Sequence, residues 1–192
     1  LSQLAAAEPF GAGVSLSALA TDMTSRFYVA RTGSAVVRAV DTTGATVNSW
    51  TVSLTGLLSL GVSRDNTILY YSQGSNSLIK RWDLINDVAL SDLAAQVVDY
   101  TLSANILVLS DGTIVASYEY APSVPRPLFV RHYAADGTLL DTYAHADVQG
   151  CCSPIAMALD DPNSFWLLTH YPAGANKDKS LYENIKVSTG AL

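Results

Sequence analysis

The sequence predicts an all-β fold built from four similar antiparallel units. An apolar strand recurs four times at intervals of roughly 40 to 50 residues, a length typical of repeat architectures. Each copy follows shortly after a turn that contains aspartate, a residue that favours hairpin geometry. The chain of 192 residues is 49% hydrophobic and only 15% charged, which indicates a packed core and excludes disorder. The four strands begin at Phe27, Ile68, Ile114 and Phe165.

Each unit continues in the same way after this strand. A polar turn leads to a third strand, and a second hairpin signal leads towards a fourth. Residues 68–83 form the most regular copy, with an apolar strand, a Gly/Ser/Asn turn and an alternating strand that ends in Asp83. The second hairpin signals are Asp41 to Gly44, Asn86-Asp87, Asp136-Gly137 and Ser188 to Gly190.

Four short antiparallel strands per unit are typical of a β-propeller blade. A β-sandwich is the alternative, but a sandwich does not require the same order of strands and turns to recur at regular intervals along the sequence. We therefore predict one four-bladed β-propeller domain over residues 1–192, with units at about 13–55, 56–98, 99–148 and 149–192 plus 1–8. We expect the N-terminal segment to close the last blade as its fourth strand. The competing interpretation is a piece cut from a longer array.

Composition limits the partners and the location. The net charge is −6 and the basic residues are scattered, which argues against nucleic-acid binding. The sequence contains no apolar run long enough to predict a membrane-spanning helix. Its low lysine content and abundance of Ser, Thr, Gly and Ala suit an extracellular or virion-surface protein. The sequence begins at Leu1 without a cleavable leader, so we expect either a removed leader or a fragment.

One stretch resembles a known type of repeat. It reads Ser63-Arg64-Asp65-Asn66-Thr67-Ile68-Leu69-Tyr70-Tyr71 and is followed by residues 75–83. It is similar to the repeats of YVTN-type and NHL-type propellers, and residues 27–34 and 159–166 fit the pattern more loosely. Such propellers include lactone hydrolases, surface-layer proteins, and phage head and tail proteins. The resemblance implies a fold and does not choose an activity.

Two long connections supply the predicted binding site. They cover residues 118–127 and 170–179, between the second and third strands of the last two units. In a propeller they share a face with the connections between blades, where His145 and Asp147 lie. Loops longer than a hairpin needs are often functional, and Tyr, Arg and His suit protein or glycan recognition. The predicted binding residues are Tyr118, Glu119, Tyr120, Arg126, His145, Asp147, His170, Tyr171, Lys177 and Lys179.

For each of the other candidate sites, the residues can be explained either by a function or by a purely structural role. The turn aspartates Asp22, Asp65, Asp111 and Asp160 could form a carboxylate ring for calcium, or could simply cap hairpins. His132 is expected to be exposed or paired within its strand, whereas His145 and His170 could form a metal or acid–base site. Cys151 and Cys152 are read as buried thiols, with a vicinal disulfide or an interchain bond as alternatives.

The function predicted from these observations is a non-catalytic scaffold. No nucleophile motif or phosphate loop occurs in the sequence, so we expect no catalytic residues and no cofactor other than calcium. The scaffold would bind a protein or glycan, as a virion or surface-assembly component. The alternative is a small lactonase-like propeller hydrolase with a divalent cation in its channel.

Overall fold

The computed structural model of the chain describes residues 10–11, 15–22, 24–53, 55–57, 59–73, 78–93, 100–120, 128–144, 151–157, 164–171 and 179–187. These residues form fifteen strands in four antiparallel sheets. They contain no helix, and hence none that could cross a membrane. The predicted all-β class is confirmed.

Sheets 1 and 2 are four-stranded meanders, in which each strand pairs with its neighbours in the chain. Their strands are rich in valine and aromatic residues, which suit a pleated and partly buried surface. Sheet 1 contains β1 Leu16–Thr21, β2 Phe27–Arg31, β3 Val36–Val40 and β4 Thr46–Thr51, and sheet 2 contains β5 Ser59–Val62, β6 Ile68–Ser72, β7 Lys80–Asp83 and β8 Val88–Leu90.

Sheets 3 and 4 follow the same order along the chain. Sheet 3 is a four-stranded meander and the described part of sheet 4 has three strands. The segment predicted to complete the last sheet, residues 1–8, lies outside the described residues. Sheet 3 contains β9 Tyr100–Val108, β10 Ile114–Tyr120, β11 Leu128–Tyr133 and β12 Leu139–Ala144, and sheet 4 contains β13 Cys151–Met157, β14 Ser164–Tyr171 and β15 Lys179–Lys186.

The predicted second strands occur at their expected places, but two of them are longer than predicted. β10 continues through Tyr120 and β14 through Tyr171, while β15 begins already at Lys179. The assignment of residues 118–120, 170–171 and 179 to loops was therefore wrong. The connection 73–79 is also as long as 121–127 and 172–178, so a longer connection does not distinguish the last two units from the second.

The chain divides into two compact units. Unit 1 comprises Leu1–Gln73 and Ile79–Asp92, and unit 2 comprises Gly74–Leu78 and Leu93–Leu192. In unit 1, β1 lies beside β5, and the facing sides of sheets 1 and 2 form one apolar core. This core contains Ala18, Tyr28, Ala30, Val37, Ala39, Trp50, Val52, Leu57, Leu60, Val62, Leu69, Tyr71 and Leu84.

Two polar contacts connect the sheets of unit 1. The buried indole Nε1 of Trp50 donates to the carbonyl oxygen of Leu84 at 3.2 Å. The hydroxyls of Ser53 and Tyr71 are hydrogen-bonded at 2.8 Å. Buried polar groups are costly unless they are paired, so these bonds fix which residues of the two sheets face each other.

Unit 2 repeats this arrangement with β9 beside β13. Its core lies between sheets 3 and 4 and is formed by Leu109, Val115, Val130, Phe165, Leu167 and Val187. Alternation places these side chains on one face of each sheet, because successive strand residues point to opposite faces. Both units therefore consist of two meander sheets that pack face to face around an apolar interior.

Candidate functional site

Five of the described turns between strands share one local arrangement, Asp-x-Thr. In five turns of the described chain an aspartate Oδ1 accepts a hydrogen bond from the amide of the threonine two residues later, at 2.7 to 3.1 Å. Such bonds satisfy turn amides that have no strand partner. The five pairs are Asp22 and Thr24, Asp41 and Thr43, Asp65 and Thr67, Asp111 and Thr113, and Asp136 and Thr138.

Asp65 shows this chemistry most fully. Its Oδ1 accepts from the Ser63 hydroxyl at 2.6 Å, the Thr67 hydroxyl at 2.8 Å and the Thr67 amide at 3.1 Å. The bond from Ser63, followed by that from Thr67, holds the pKa of Asp65 below its usual range. The next residue, Asn66, has a φ of 60°, a left-handed conformation that asparagine tolerates better than most residues.

Replacing Asp65 with alanine is expected to lower the free energy of unfolding by about 1 kcal/mol, because three donors lose their charged acceptor. Since the pKa of Asp65 is lowered in the folded state, the carboxylate stabilises the fold above about pH 3.9, its unfolded-state pKa. This stabilisation is lost as the pH falls through the lower, folded-state pKa. Urea unfolding at pH 7 and at successive pH values below 4 measures both effects.

The matched control is Asp65→Asn, which keeps an acceptor oxygen and removes the charge. The difference in stability between the native chain and this variant should be constant above about pH 5 and should shrink in acid. A difference that grew as the pH fell would contradict the assigned role of the carboxylate.

This geometry bears on the predicted carboxylate ring. Asp22, Asp65 and Asp111 are each engaged within their own turn, while Asp160 lies outside the described residues. Among the residues that the structure describes, no three His, Cys, Asp or Glu side chains are grouped so that they could hold a metal ion. The hydrogen bonds match the capping interpretation of the three described aspartates.

Tyr118 was predicted to belong to the binding loop, but the structure places it in the interior. Its side chain is 1% exposed and its hydroxyl is 2.9 Å from the hydroxyl of Tyr133. Its ring stacks on Phe129 at 5.3 Å, and burial raises the pKa of its phenol well above the usual range. The guanidinium of Arg131 lies over both rings, 5.1 Å from the centroid of Phe129 and 5.7 Å from that of Tyr118. Tyr118 therefore stabilises the β10–β11 hairpin through buried contacts with Phe129, Arg131 and Tyr133.

The other predicted binding residues fall into two groups. Glu119 and Tyr120 end β10, where their backbones pair with Thr101 and Tyr100. In sheet 4, Tyr171 pairs with Lys179 and His170 pairs with both Ser180 and Cys151. These residues occupy the ends of two hairpins, β10–β11 and β14–β15. The remaining four lie outside the described residues: Arg126, His145, Asp147 and Lys177.

The cysteine pair is placed only through its backbone. Cys151 and Cys152 open β13, opposite His170 and Thr169 of β14. The prediction that they are buried thiols concerns their side chains, which lie outside what the structure describes.

Two exposed aromatic side chains were not identified from the sequence. Trp166 is 40% exposed and Tyr182 is 61% exposed. Trp166 pairs with Asn184 and Tyr182 with Leu168, so the two rings lie on the same face of sheet 4 as diagonal neighbours. The buried core residues Phe165 and Leu167 alternate with Trp166 and Leu168. Strand alternation at residues 164–168 could have suggested the exposed position of Trp166 once the buried face was known.

His132 also differs from its prediction as an exposed or paired residue. It is 1% exposed, and neither imidazole nitrogen has a hydrogen-bond partner among the described residues. Sequence alternation identified its strand but not the sheet that covers it.

Comparison with known proteins gives a fold relationship and no family. No family model matches the chain, and no curated protein matches it. Among solved structures, 747 chains match, one of them described as Kuenenia stuttgartiensis hydrazine synthase. That match has a TM-score of 0.66 at 16% identity, over 91% of this chain and 52% of the other. The chain thus spans about half the length of that protein, and a likeness at this identity shows a shared fold alone.

Proposed function

We propose that this chain is a β-propeller scaffold without catalytic activity, which binds a protein or glycan partner at the ends of its β10–β11 and β14–β15 hairpins. The observation that carries the proposal is the length of these hairpins. β10 and β14 have 7 and 8 residues, whereas the corresponding strands β2 and β6 have 5 each. Strands that run beyond their counterparts present their connecting loops further out, where a partner can reach them.

Three features support the propeller within this proposal. Each sheet is a meander of successive strands, the sheets follow one another along the chain, and the first strands β1 and β5, or β9 and β13, lie side by side within a unit. Radial repetition of such sheets is the propeller architecture. Residues 1–192 would then form one domain, with the two units as halves of it.

The residues near the hairpin ends have the chemistry of a recognition surface. Glu119 and Tyr120 end β10, Tyr171 ends β14 and Lys179 begins β15. The two connections add Arg126 and Lys177 by sequence. Tyrosine gives a large contact area at a low entropic cost, and mixed charges give orientation. With the resemblance to propellers of phage and surface-layer proteins, these residues favour a role in a virion or surface assembly.

Replacing residues 121–127 with a two-residue Asn-Gly turn should abolish partner binding and leave the fold intact, because that dipeptide favours a tight hairpin. Folding is checked by circular dichroism and thermal unfolding. Binding is measured on an array of immobilised glycans and by selection from a displayed random-peptide library. We expect ligands enriched by the native chain to lose at least tenfold in affinity for the variant.

The matched control shortens the equally long connection 73–79 of sheet 2 by removing residues 74–77. This variant should bind like the native chain. Binding that survived the change at 121–127, or that was lost equally in the control, would contradict the assigned surface. Stoichiometric divalent cation in the purified protein together with lactone hydrolysis would instead establish the hydrolase alternative.

A further inference from the structure

His132 is a buried titratable group that the proposed binding role does not use. Its side chain is 1% exposed in the middle of sheet 3, where its backbone pairs with Val115 of β10 and Asp141 of β12. Neither Nδ1 nor Nε2 has a hydrogen-bond partner among the described residues. A buried histidine normally satisfies at least one ring nitrogen, so two unpaired nitrogens require an explanation.

The position of His132 places it at the contact between sheets 3 and 4. Val130, two residues earlier on the same face of β11, belongs to the core that includes Phe165 and Leu167 of sheet 4. Val115, the partner of His132 across the strand pair, belongs to the same core. The imidazole is therefore on the face of sheet 3 that packs against sheet 4.

The neighbouring charges do not neutralise a protonated ring. Asp111 and Asp141 favour protonation through their field, yet the carboxylate of Asp111 is bonded to Thr113 and that of Asp141 to the amide of Thr142. Desolvation outweighs both fields and lowers the pKa of His132 below its usual value. An imidazolium needs two acceptors, and neither carboxylate bonds to this ring.

The remaining elements around His132 include a carboxylate on the facing side of sheet 4, which is not among the charges that shift the pKa of His132. Sheet 4 contributes Glu183, which pairs with Leu167 and lies on the facing side, and β12 contributes the phenol of Tyr143. The described side chains of β14 at 164–168, of β9 at 106–108 and of β10 at 114–118 carry no charge between pH 5 and 7, and the neutral phenol of Tyr118 lies on the other face of sheet 3. By sequence, the ionisable residues of β13 are Cys151 and Cys152, which stay neutral in acid.

We propose that His132 is an acid-sensitive latch of unit 2. The neutral ring is compatible with the packed contact of sheets 3 and 4, whereas protonation opens that contact so that the imidazolium reaches water. Unit 1 contains no histidine in its sequence, so it has no side chain that ordinarily titrates between pH 5 and 7. Mild acid would therefore loosen one half of the chain and leave the other packed.

The direction follows from proton linkage. Because the folded-state pKa is lowered, the unfolded state binds the proton first as the pH falls below about 6.5. Stability contributed by the neutral ring is full above that pH and declines towards the folded-state pKa. Opening of unit 2 should rise by up to about tenfold per pH unit within this window.

Hydrogen exchange with mass spectrometry at pH 7.5 and 5.5, corrected for intrinsic exchange rates, tests the latch. Peptides from β11 and β14 should open more at pH 5.5, and peptides from β2 and β6 should not. His132→Leu should remove the acid response, while the controls His145→Gln and His170→Gln should keep it. A response that persists in His132→Leu, or that is equal in unit 1, overturns the proposal.

A second measurement applies if His132→Leu does not fold. The imidazole of His132 in the native protein is titrated by NMR with labelled histidine. A resonance that titrates below pH 6.5, coincident with the acid response of β11, supports the latch. Titration at or above that value in the folded protein overturns it.

Discussion

Replacing Phe165 with alanine is expected to lower the free energy of unfolding of unit 2 by about 3–5 kcal/mol. Phe165 is 0% exposed and lies in the core between sheets 3 and 4. Its ring meets the ring of Tyr143 edge-on, at a centroid distance of 5.9 Å and an interplanar angle of 70°. Truncation loses both the buried area and this contact and leaves a cavity. Urea unfolding followed by circular dichroism gives the change in stability.

The next residue of the same strand provides the control. Trp166 is 40% exposed on the opposite face, so Trp166→Ala should cost much less than Phe165→Ala. Equal costs for the two variants would mean that the assigned inner and outer faces of sheet 4 are wrong. A change below about 1 kcal/mol in Phe165→Ala would contradict the packed core itself.

The second large effect is expected in unit 1. Replacing Trp50 with alanine should cost about 3–5 kcal/mol. The indole is 6% exposed, stacks on Tyr28 at 6.0 Å and donates to the carbonyl of Leu84 in sheet 2. The fluorescence of Trp82, also in unit 1, reports unfolding in the variant once Trp166 of unit 2 is replaced with phenylalanine.

Trp50→Phe separates packing from hydrogen bonding. Phenylalanine keeps most of the ring and removes the donor, so the carbonyl of Leu84 loses its partner from the indole. We expect this change to cost more than the hydrogen bond alone, about 1 kcal/mol, and clearly less than the change to alanine. If both variants cost the same, the stacked ring contributes little to the contact between sheets 1 and 2.

Periodicity and turn chemistry predicted the strands well, because both signals are local. β2, β6 and β10 begin at the expected residues. The ends of β10 and β14 were missed, since Tyr, Glu and His at these positions were read as loop composition. Alternation in fact continues through Tyr118, Glu119 and Tyr120, and a proline at residue 122 is the first residue that resists pairing.

The candidate sites were harder to predict, because exposure depends on which sheet covers which face. Tyr118 and His132 lie on opposite faces of sheet 3, and both are buried. The local sequence pattern does not show whether a sheet is buried on both faces, as here, or exposed to solvent on one of them. The Asp-x-Thr turns, in contrast, were open to prediction, since the threonine two residues after each aspartate is visible in the sequence and supplies the donor.

The meander order of the sheets has a consequence for how the chain folds. Every described strand pair joins strands that are consecutive in the sequence, so each hairpin closes a short loop at a small entropic cost. Contacts between distant residues arise mainly when whole sheets dock, as β1 does on β5 and β9 on β13. All-β proteins usually fold slowly because their pairings are distant in sequence. Among the described strands the pairings are local, so we expect the slow step of folding to be the docking of sheets that have already formed.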